Sequence, residues 1–173
     1  FNAYARKIYV EYVDTLQEHL LRDPHLRPPS SNTAFAATKV NFGPQTNSKR
    51  HRDAGNRSDR WCTVTSAGKY NPDEGGHLIL WDLRYVIRFP LGATILFPSA
   101  LITHSNIPVR SGETRYSIVQ FSSGGLFRWH YNGWCSDKAW FVRATCEQRE
   151  KREEDRKTRW KEKLENFTKW ADL

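Results

Sequence analysis

GGHLILWDLRYVIRFPLGATILFPSA, the stretch from Gly75 to Ala100, decides the fold. Three apolar runs follow one another within it: His77–Leu83, Tyr85–Phe89 and Ala93–Phe97. Gly75-Gly76 stands ahead of them and Pro90-Leu91-Gly92 separates the last two, residues that favour turns over continued elements. Runs this short and this apolar read as strands. Further strands are expected at Ala37–Phe42, Trp61–Ser66 and Arg115–Ser122, with Arg110-Ser111-Gly112 as another turn. No helical pattern lies between them, so neighbouring strands must pair antiparallel. So many short edges are best hidden by rolling the strands into two facing sheets. The expected architecture is mainly β with flanking helices (α+β), on a double-stranded β-helix core of the jelly-roll, cupin-like kind.

Helices are expected only outside this region. From about Ala3 to Arg22, Val13, Leu16 and Leu20 recur at three- and four-residue spacing until Asp23-Pro24 stops the pattern. Arg27 to Asn32, rich in Pro and Ser, reads as a connector. From Glu147 to about Trp170 the chain is charged and broken only by Trp160, Leu164, Phe167 and Trp170, which predicts a solvated helix whose last turns carry a narrow apolar stripe. This divides the chain into a main domain over residues 1–146, N-terminal helix included, and a charged C-terminal helix over 147–173.

At 173 residues, with 38% apolar and 13% aromatic content, the chain has material for one real core. No apolar run reaches the roughly 18 residues that span a bilayer, and no leader pattern opens the chain, so a soluble, unsecreted protein is expected. Phe1 and the absence of methionine suggest a piece of a longer reading frame. Cys62, Cys135 and Cys146 are odd in number and lack C-x-x-C spacing, which disfavours a disulfide framework and a zinc knuckle and points to a reducing compartment, nucleus or cytosol.

The formal charge of +8 calls for a polyanionic partner. Lys49, Arg50, Arg52, Arg57 and Arg60 crowd one short segment, where they suit phosphates; a solvated basic loop would look the same. Within that segment stands His51-Arg52-Asp53, followed by a lone His104 and then by Arg115-Tyr116-Ser117. Two imidazoles and a carboxylate on one face of Fe(II) leave open positions for a bidentate co-substrate and for dioxygen. In a strand His51 and Asp53 would share a face, and His104 must arrive from another strand. A core histidine satisfied by a carbonyl is the plain alternative for His104. The Arg115 fork suits a carboxylate, here the distal one of 2-oxoglutarate, and Ser117 adds a hydroxyl on the same face. A surface pair with Glu113 is the alternative for Arg115. Val119 and Phe121 continue that face, either as cavity lining or as core.

Asn41-Phe42-Gly43-Pro44, His51 to Asn56 in the pattern H-x-D-x-x-N, Gly75 to Leu83, Phe89 to Gly92, Pro98-Ser99-Ala100, His104-Ser105-Asn106 and Gly124 to Trp129 together resemble the TET/J-binding-protein-like dioxygenases of basidiomycete fungi. The resemblance implies an enzyme using Fe(II), 2-oxoglutarate and O2 to oxidise the methyl group of a modified DNA base, 5-methylcytosine foremost and N6-methyladenine second. It implies His51, Asp53 and His104 as metal ligands and catalytic centre, Arg115 as the hold on 2-oxoglutarate, and Asn56, Val119 and Phe121 beside a flipped base. The cysteine-rich zinc-bearing segment of the animal members has no counterpart here.

A base must leave the duplex to reach a buried metal and then needs a wall to stack on, a part Phe121 suits. Asn56 offers a donor and an acceptor to a base edge, or serves simply as a turn residue after Gly55. Arg57 is expected at the substrate. His19 and His25 read as surface residues, and His77 and His130 receive no role. DNA is the expected partner, a monomer the expected state and the nucleus the expected location. A protein hydroxylase of the same fold, or a DNA-binding module without activity, would share parts of this pattern.

Overall fold

The computed structural model describes residues 1–169 and 171. The chain divides into two compact units: Pro28–Ser122, which holds the strands, and Phe1–Arg27 with Ser123–Leu173, which holds the helices. The boundary expected at 146/147 thus falls inside the helical unit.

The first unit contains β1 (Ala37–Asn41), β2 (Cys62–Lys69), β3 (Leu78–Leu80), β4 (Tyr85–Ile87), β5 (Thr94–Phe97), β6 (His104–Asn106) and β7 (Thr114–Phe121). They form a four-stranded sheet in the order β1-β7-β2-β5 and a three-stranded sheet in the order β4-β3-β6. Every strand pairing is antiparallel. The architecture is the expected one: antiparallel strands of a double-stranded β-helix with flanking helices, not a closed barrel. Cys62, Leu78, Leu80, Phe89 and Phe97 make its core, with Val64, Ile87, Ile95 and Phe121 packed on it. They come from both sheets, so the alternate positions Cys62 and Val64, Leu78 and Leu80, and Ile95 and Phe97 point at the other sheet.

Three local differences have physical reasons. The run His77–Leu83 is a strand only over Leu78–Leu80; Trp81–Leu83 wind into a 3-10 turn closed by Arg84 at φ 56°. Trp81 N–H donates to the Thr103 carbonyl at 2.9 Å, and the Asp82 carboxylate accepts from Thr103 N–H at 2.6 Å, replacing a ladder bond that the strand would have made. β6 escapes apolar pattern reading because its residues are polar although all are buried. His51 and Asp53 lie in extended chain, not in a strand; only a single antiparallel bridge joins His51 to His104.

The second unit comprises α1 (Arg6–Arg22), α2 (Gly124–Tyr131), α3 (Asp137–Arg143) and α4 (Cys146–Leu164). α1 begins three residues later than expected and buries Ile8, Tyr12 and Leu16. The Tyr12 ring meets Phe127 edge-on at 5.1 Å. His19, read as a surface residue, is buried against the Trp134 ring at 4.9 Å, because it lies on the Tyr12–Leu16 face. His130 pairs with Glu18 at 2.7 Å. α2 and α3, of 8 and 7 residues, are too short to show a helical period, but both begin at serine caps. Ser123 and Ser136 accept from Gly125 N–H and Ala139 N–H. Thr145 and Gln148 form a capping box at α4. Trp160 and Leu164 of its stripe are exposed, and Trp170 lies outside the described residues. Among the described residues no helix is long and apolar enough to cross a membrane, and the three cysteines are free.

Candidate metal centre

Main-chain pairing assembles the ligands. His51 N–H donates to the His104 carbonyl at 3.0 Å and His104 N–H to the His51 carbonyl at 2.9 Å, so the two residues oppose each other and their rings stand 4.3 Å apart. Asp53 is fixed by its N–H on the Ser99 carbonyl at 3.0 Å and by its own carbonyl, which accepts from Asn56 N–H at 2.9 Å. Ligand atoms of His51, Asp53 and His104 all lie within 4.8 Å of one another.

Each imidazole has its outer nitrogen committed. His51 Nδ1 is 2.7 Å from the Lys49 carbonyl and His104 Nδ1 is 2.9 Å from the Ile102 carbonyl. A carbonyl oxygen only accepts, so both Nδ1 atoms carry the proton and both Nε2 atoms keep the lone pair. Those Nε2 atoms face Asp53, at 3.6 Å from Oδ1 for His51 and 4.0 Å from Oδ2 for His104. Burial holds the His104 imidazole below its ordinary pKa, the backbone bond to Ile102 opposing it, which favours the neutral ligand form. The carbonyl that would satisfy a core histidine is therefore present, but it engages the nitrogen turned away from Asp53. This donor set fits a divalent transition metal with open positions.

The three residues open onto a cavity of about 610 Å³. Val119, Ser117 and Arg115 of β7 line it in alternation, as do Lys39 and Asn41 of β1 and Val64 of β2, with Phe121 and Asn56 also in the lining. Arg115 is 2% exposed. Its Nη1 donates to the Thr46 carbonyl at 3.1 Å, the Tyr70 hydroxyl lies beside it, and its Nε has no hydrogen-bond partner. Burial lowers its pKa from the ordinary arginine value. Among the described residues no carboxylate pairs with it. Glu113 is engaged elsewhere, accepting from Asn71 N–H at 2.7 Å and Arg110 N–H at 2.8 Å. A buried guanidinium without an anion is costly, and a ligand carboxylate would relieve that cost. Ser117 Oγ accepts from Asn41 Nδ2 at 2.9 Å, which leaves the hydroxyl proton to donate.

Asn56 is tied by its Nδ2 to Ser99 Oγ at 3.1 Å, leaving its carbonyl oxygen. Arg57 does not line the cavity. Its guanidinium forks onto Asp59, Nε to Oδ1 at 3.0 Å and Nη2 to Oδ2 at 2.8 Å, two residues along the same loop. Arg60 is 1% exposed and stands 3.5 Å from the same carboxylate. Of this basic segment only Arg52 lines the cavity, and it too reaches a carboxylate, Asp82, at 3.4 Å. His25, His77 and His130 do not line the cavity.

Sequence reasoning assigned no role to Asn41 or Asn106, which also line the cavity. Asn106 Oδ1 accepts from Ser48 N–H and Oγ, both at 2.7 Å, and its Nδ2 donates to Thr46 O at 3.3 Å, the carbonyl that also holds Arg115. Its position two residues after His104, on the same face of a strand, was the available signal.

No family model matches the sequence, and no curated protein matches it. Among solved structures the chain is similar to NgTET1 in complex with 5mC DNA, at 20% identity and a TM-score of 0.46 over 54% of this chain and 36% of that one. It is also similar to the viral collagen prolyl hydroxylase of Paramecium Bursaria Chlorella virus-1 in its 2OG complex, at 16% identity and a TM-score of 0.34 over 62% of this chain and 69% of that one. The chain thus spans little more than a third of the NgTET1 chain.

Proposed function

We propose that this protein is an Fe(II)- and 2-oxoglutarate-dependent dioxygenase that oxidises the methyl group of a methylated DNA base, 5-methylcytosine first and N6-methyladenine second. The observation that carries the enzyme class is the shared cavity: three ligand atoms within 4.8 Å of one another and, in the same lining, a buried arginine that no carboxylate of the described residues meets. Bound Fe(II) would supply activation of dioxygen coupled to oxidative decarboxylation of 2-oxoglutarate. His51, Asp53 and His104 hold the ion. Arg115 and Ser117 receive the distal carboxylate of the co-substrate, and burial excludes the water that would compete for it.

The cavity volume lies within the range of small-molecule sites, roughly 300–1,000 Å³. Support for a base as substrate comes from its lining. Phe121 and Val119 offer an apolar wall, and the Asn56 carbonyl oxygen suits an exocyclic amino group of cytosine or adenine. Lys49, Arg50 and Arg52, the neighbours of His51 in the chain, give that segment the sign that phosphates require. With DNA as substrate the working compartment is the nucleus.

The deciding experiment incubates the protein with Fe(II), 2-oxoglutarate and separate oligonucleotides carrying 5-methylcytosine, N6-methyladenine or no methyl group, followed by mass analysis of the nucleosides. A proline-containing peptide is run in parallel. Hydroxymethyl or demethylated nucleosides are expected only from the methylated oligonucleotides. Oxidation of the peptide with none of the DNA would overturn the DNA reading and leave a protein hydroxylase.

A further inference from the structure

The guanidinium of Arg115 meets more than the Thr46 carbonyl. Ser66 lies across the ladder from Ser117 and Gly68 across from Arg115, and residues directly opposite in an antiparallel pair share a face. Tyr70 follows β2 at the next alternate position, and its hydroxyl reaches back to Ser66 Oγ on that face. Gly68, between them, contributes no side chain. The same hydroxyl is a hydrogen-bond partner of the Arg115 side chain. Arg115 and Ser117 line the cavity and Tyr70 does not, so Tyr70 meets a ligand there only through Arg115.

Hydrogen-bond directions give the phenol a defined part. It has one proton to give, and the Phe89 carbonyl, which only accepts, takes it. The phenol oxygen must therefore accept, from Ser66 Oγ and from an Arg115 N–H. Ser66 is 1% exposed, which ties its hydroxyl to this contact. The ring is confined as well: Gly76 turns at φ 71°, and a Cβ there would come within 2.5 Å of Tyr70 Cε2. A carbonyl and a hydroxyl thus orient the guanidinium without neutralising it, and its Nε keeps no protein partner.

We propose that Tyr70 is a positioning residue for the co-substrate: its hydroxyl fixes the Arg115 fork in the orientation that receives the distal carboxylate of 2-oxoglutarate. The proposal rests on the reading of Arg115 as the hold on that carboxylate and extends it to a residue outside the cavity. Two parallel N–H···O bonds form only when the plane of the guanidinium meets the plane of the carboxylate, so a fork depends on its alignment. A long side chain already held in one orientation also loses less freedom when the ligand arrives. Ser66 and the Phe89 carbonyl keep the phenol in place, and the phenol keeps the arginine in place.

The test is a calorimetric titration of 2-oxoglutarate into the Fe(II)-loaded full chain with oxygen excluded, so that binding is read without turnover. Tyr70→Phe keeps the ring and is expected to weaken 2-oxoglutarate binding about 10-fold with Fe(II) affinity unchanged. Added to Arg115→Lys, it is expected to cause no further loss, because it acts only through the guanidinium. Gly76→Ala leaves the hydroxyl but displaces the ring; it is expected to weaken 2-oxoglutarate binding as well and gives the answer if Tyr70→Phe does not fold. Wild-type affinity in whichever of these variants folds would overturn the proposal. So would a loss from Tyr70→Phe that is equally large in the Arg115→Lys protein, since a residue acting through the arginine cannot produce it. Failure of the wild-type protein to bind 2-oxoglutarate is the separate result that would remove the reading of Arg115 itself.

Discussion

Gly68 lies directly across the ladder from Arg115, at a φ of +121° that side chains rarely adopt. A Cβ at that position would overlap the Thr114 carbonyl and stand 2.9 Å from the Arg115 Cα. The strand facing the buried arginine is bare because the backbones approach too closely there for anything else. Gly68→Ala should therefore destabilise the protein by about 1–3 kcal/mol and weaken 2-oxoglutarate binding along with it. Urea unfolding and a 2-oxoglutarate titration check this; an unchanged midpoint would show that β2 accommodates the methyl group.

Arg115→Lys keeps the charge and loses the fork. The lysine also vacates the Thr46 carbonyl that Nη1 now occupies. The expected result is a 2-oxoglutarate requirement raised by about tenfold or more with iron affinity little changed. An unaltered co-substrate titration would take Arg115 out of that role.

His51→Ala, Asp53→Ala and His104→Ala should each abolish turnover and reduce metal binding measured by calorimetry. The fold should persist in all three, because the bridge between positions 51 and 104 is made by main-chain atoms. Full activity in a folded variant would remove that residue from the centre.

Cysteine reactivity should divide by environment. Burial pushes the Cys62 thiol up to about 11, and Cys135 is buried, whereas Cys146 is exposed. Only a thiolate attacks, so at pH 8 a disulfide reagent should titrate Cys146 promptly in the folded protein and reach the other two only after denaturation. Prompt titration of Cys62 would contradict its place in the core.

Asp137 gives the helical unit an acid sensitivity. The Asn132 amide, at 2.8 Å, and after it Arg152 hold its carboxyl below the ordinary carboxylate value. A depressed folded value means that the contribution is complete above the unfolded pKa, about 3.9, and fades as pH falls through the folded one. Asp137→Asn should thus lower the melting temperature at pH 7 and converge with the wild-type protein in strong acid. Equal melting temperatures at pH 7 would show that the pair adds nothing.

The sheets were legible wherever short apolar runs stand between Gly or Pro turns, as from Leu78 to Phe97. The residues proposed for metal, co-substrate and base, save Arg57, line one cavity because reactive side chains on alternating positions share a face in strand and extended chain alike. What stayed hidden had no such period. β6 is wholly polar, its burial satisfied by hydrogen bonds through Ser105 and Asn106. α2 and α3 are shorter than a periodic pattern. Arg57 stays outside that lining, and its pairing with Asp59, two residues along, carries no periodic signal.

The helical unit is assembled from both sides of a continuous insert, residues 28–122. Synthesis runs in one direction, so α1 leaves the ribosome well before the partners of Tyr12 and His19, which are Phe127 and Trp134. At about 5–20 residues per second, the apolar face of α1 waits roughly 5–20 seconds for them. The β unit waits less long, although β1 too must wait for β7, about 80 residues further on, before its pairing closes at Phe121. The sheets that carry the metal ligands can therefore mature during translation, while the helix made first is left to find its company last.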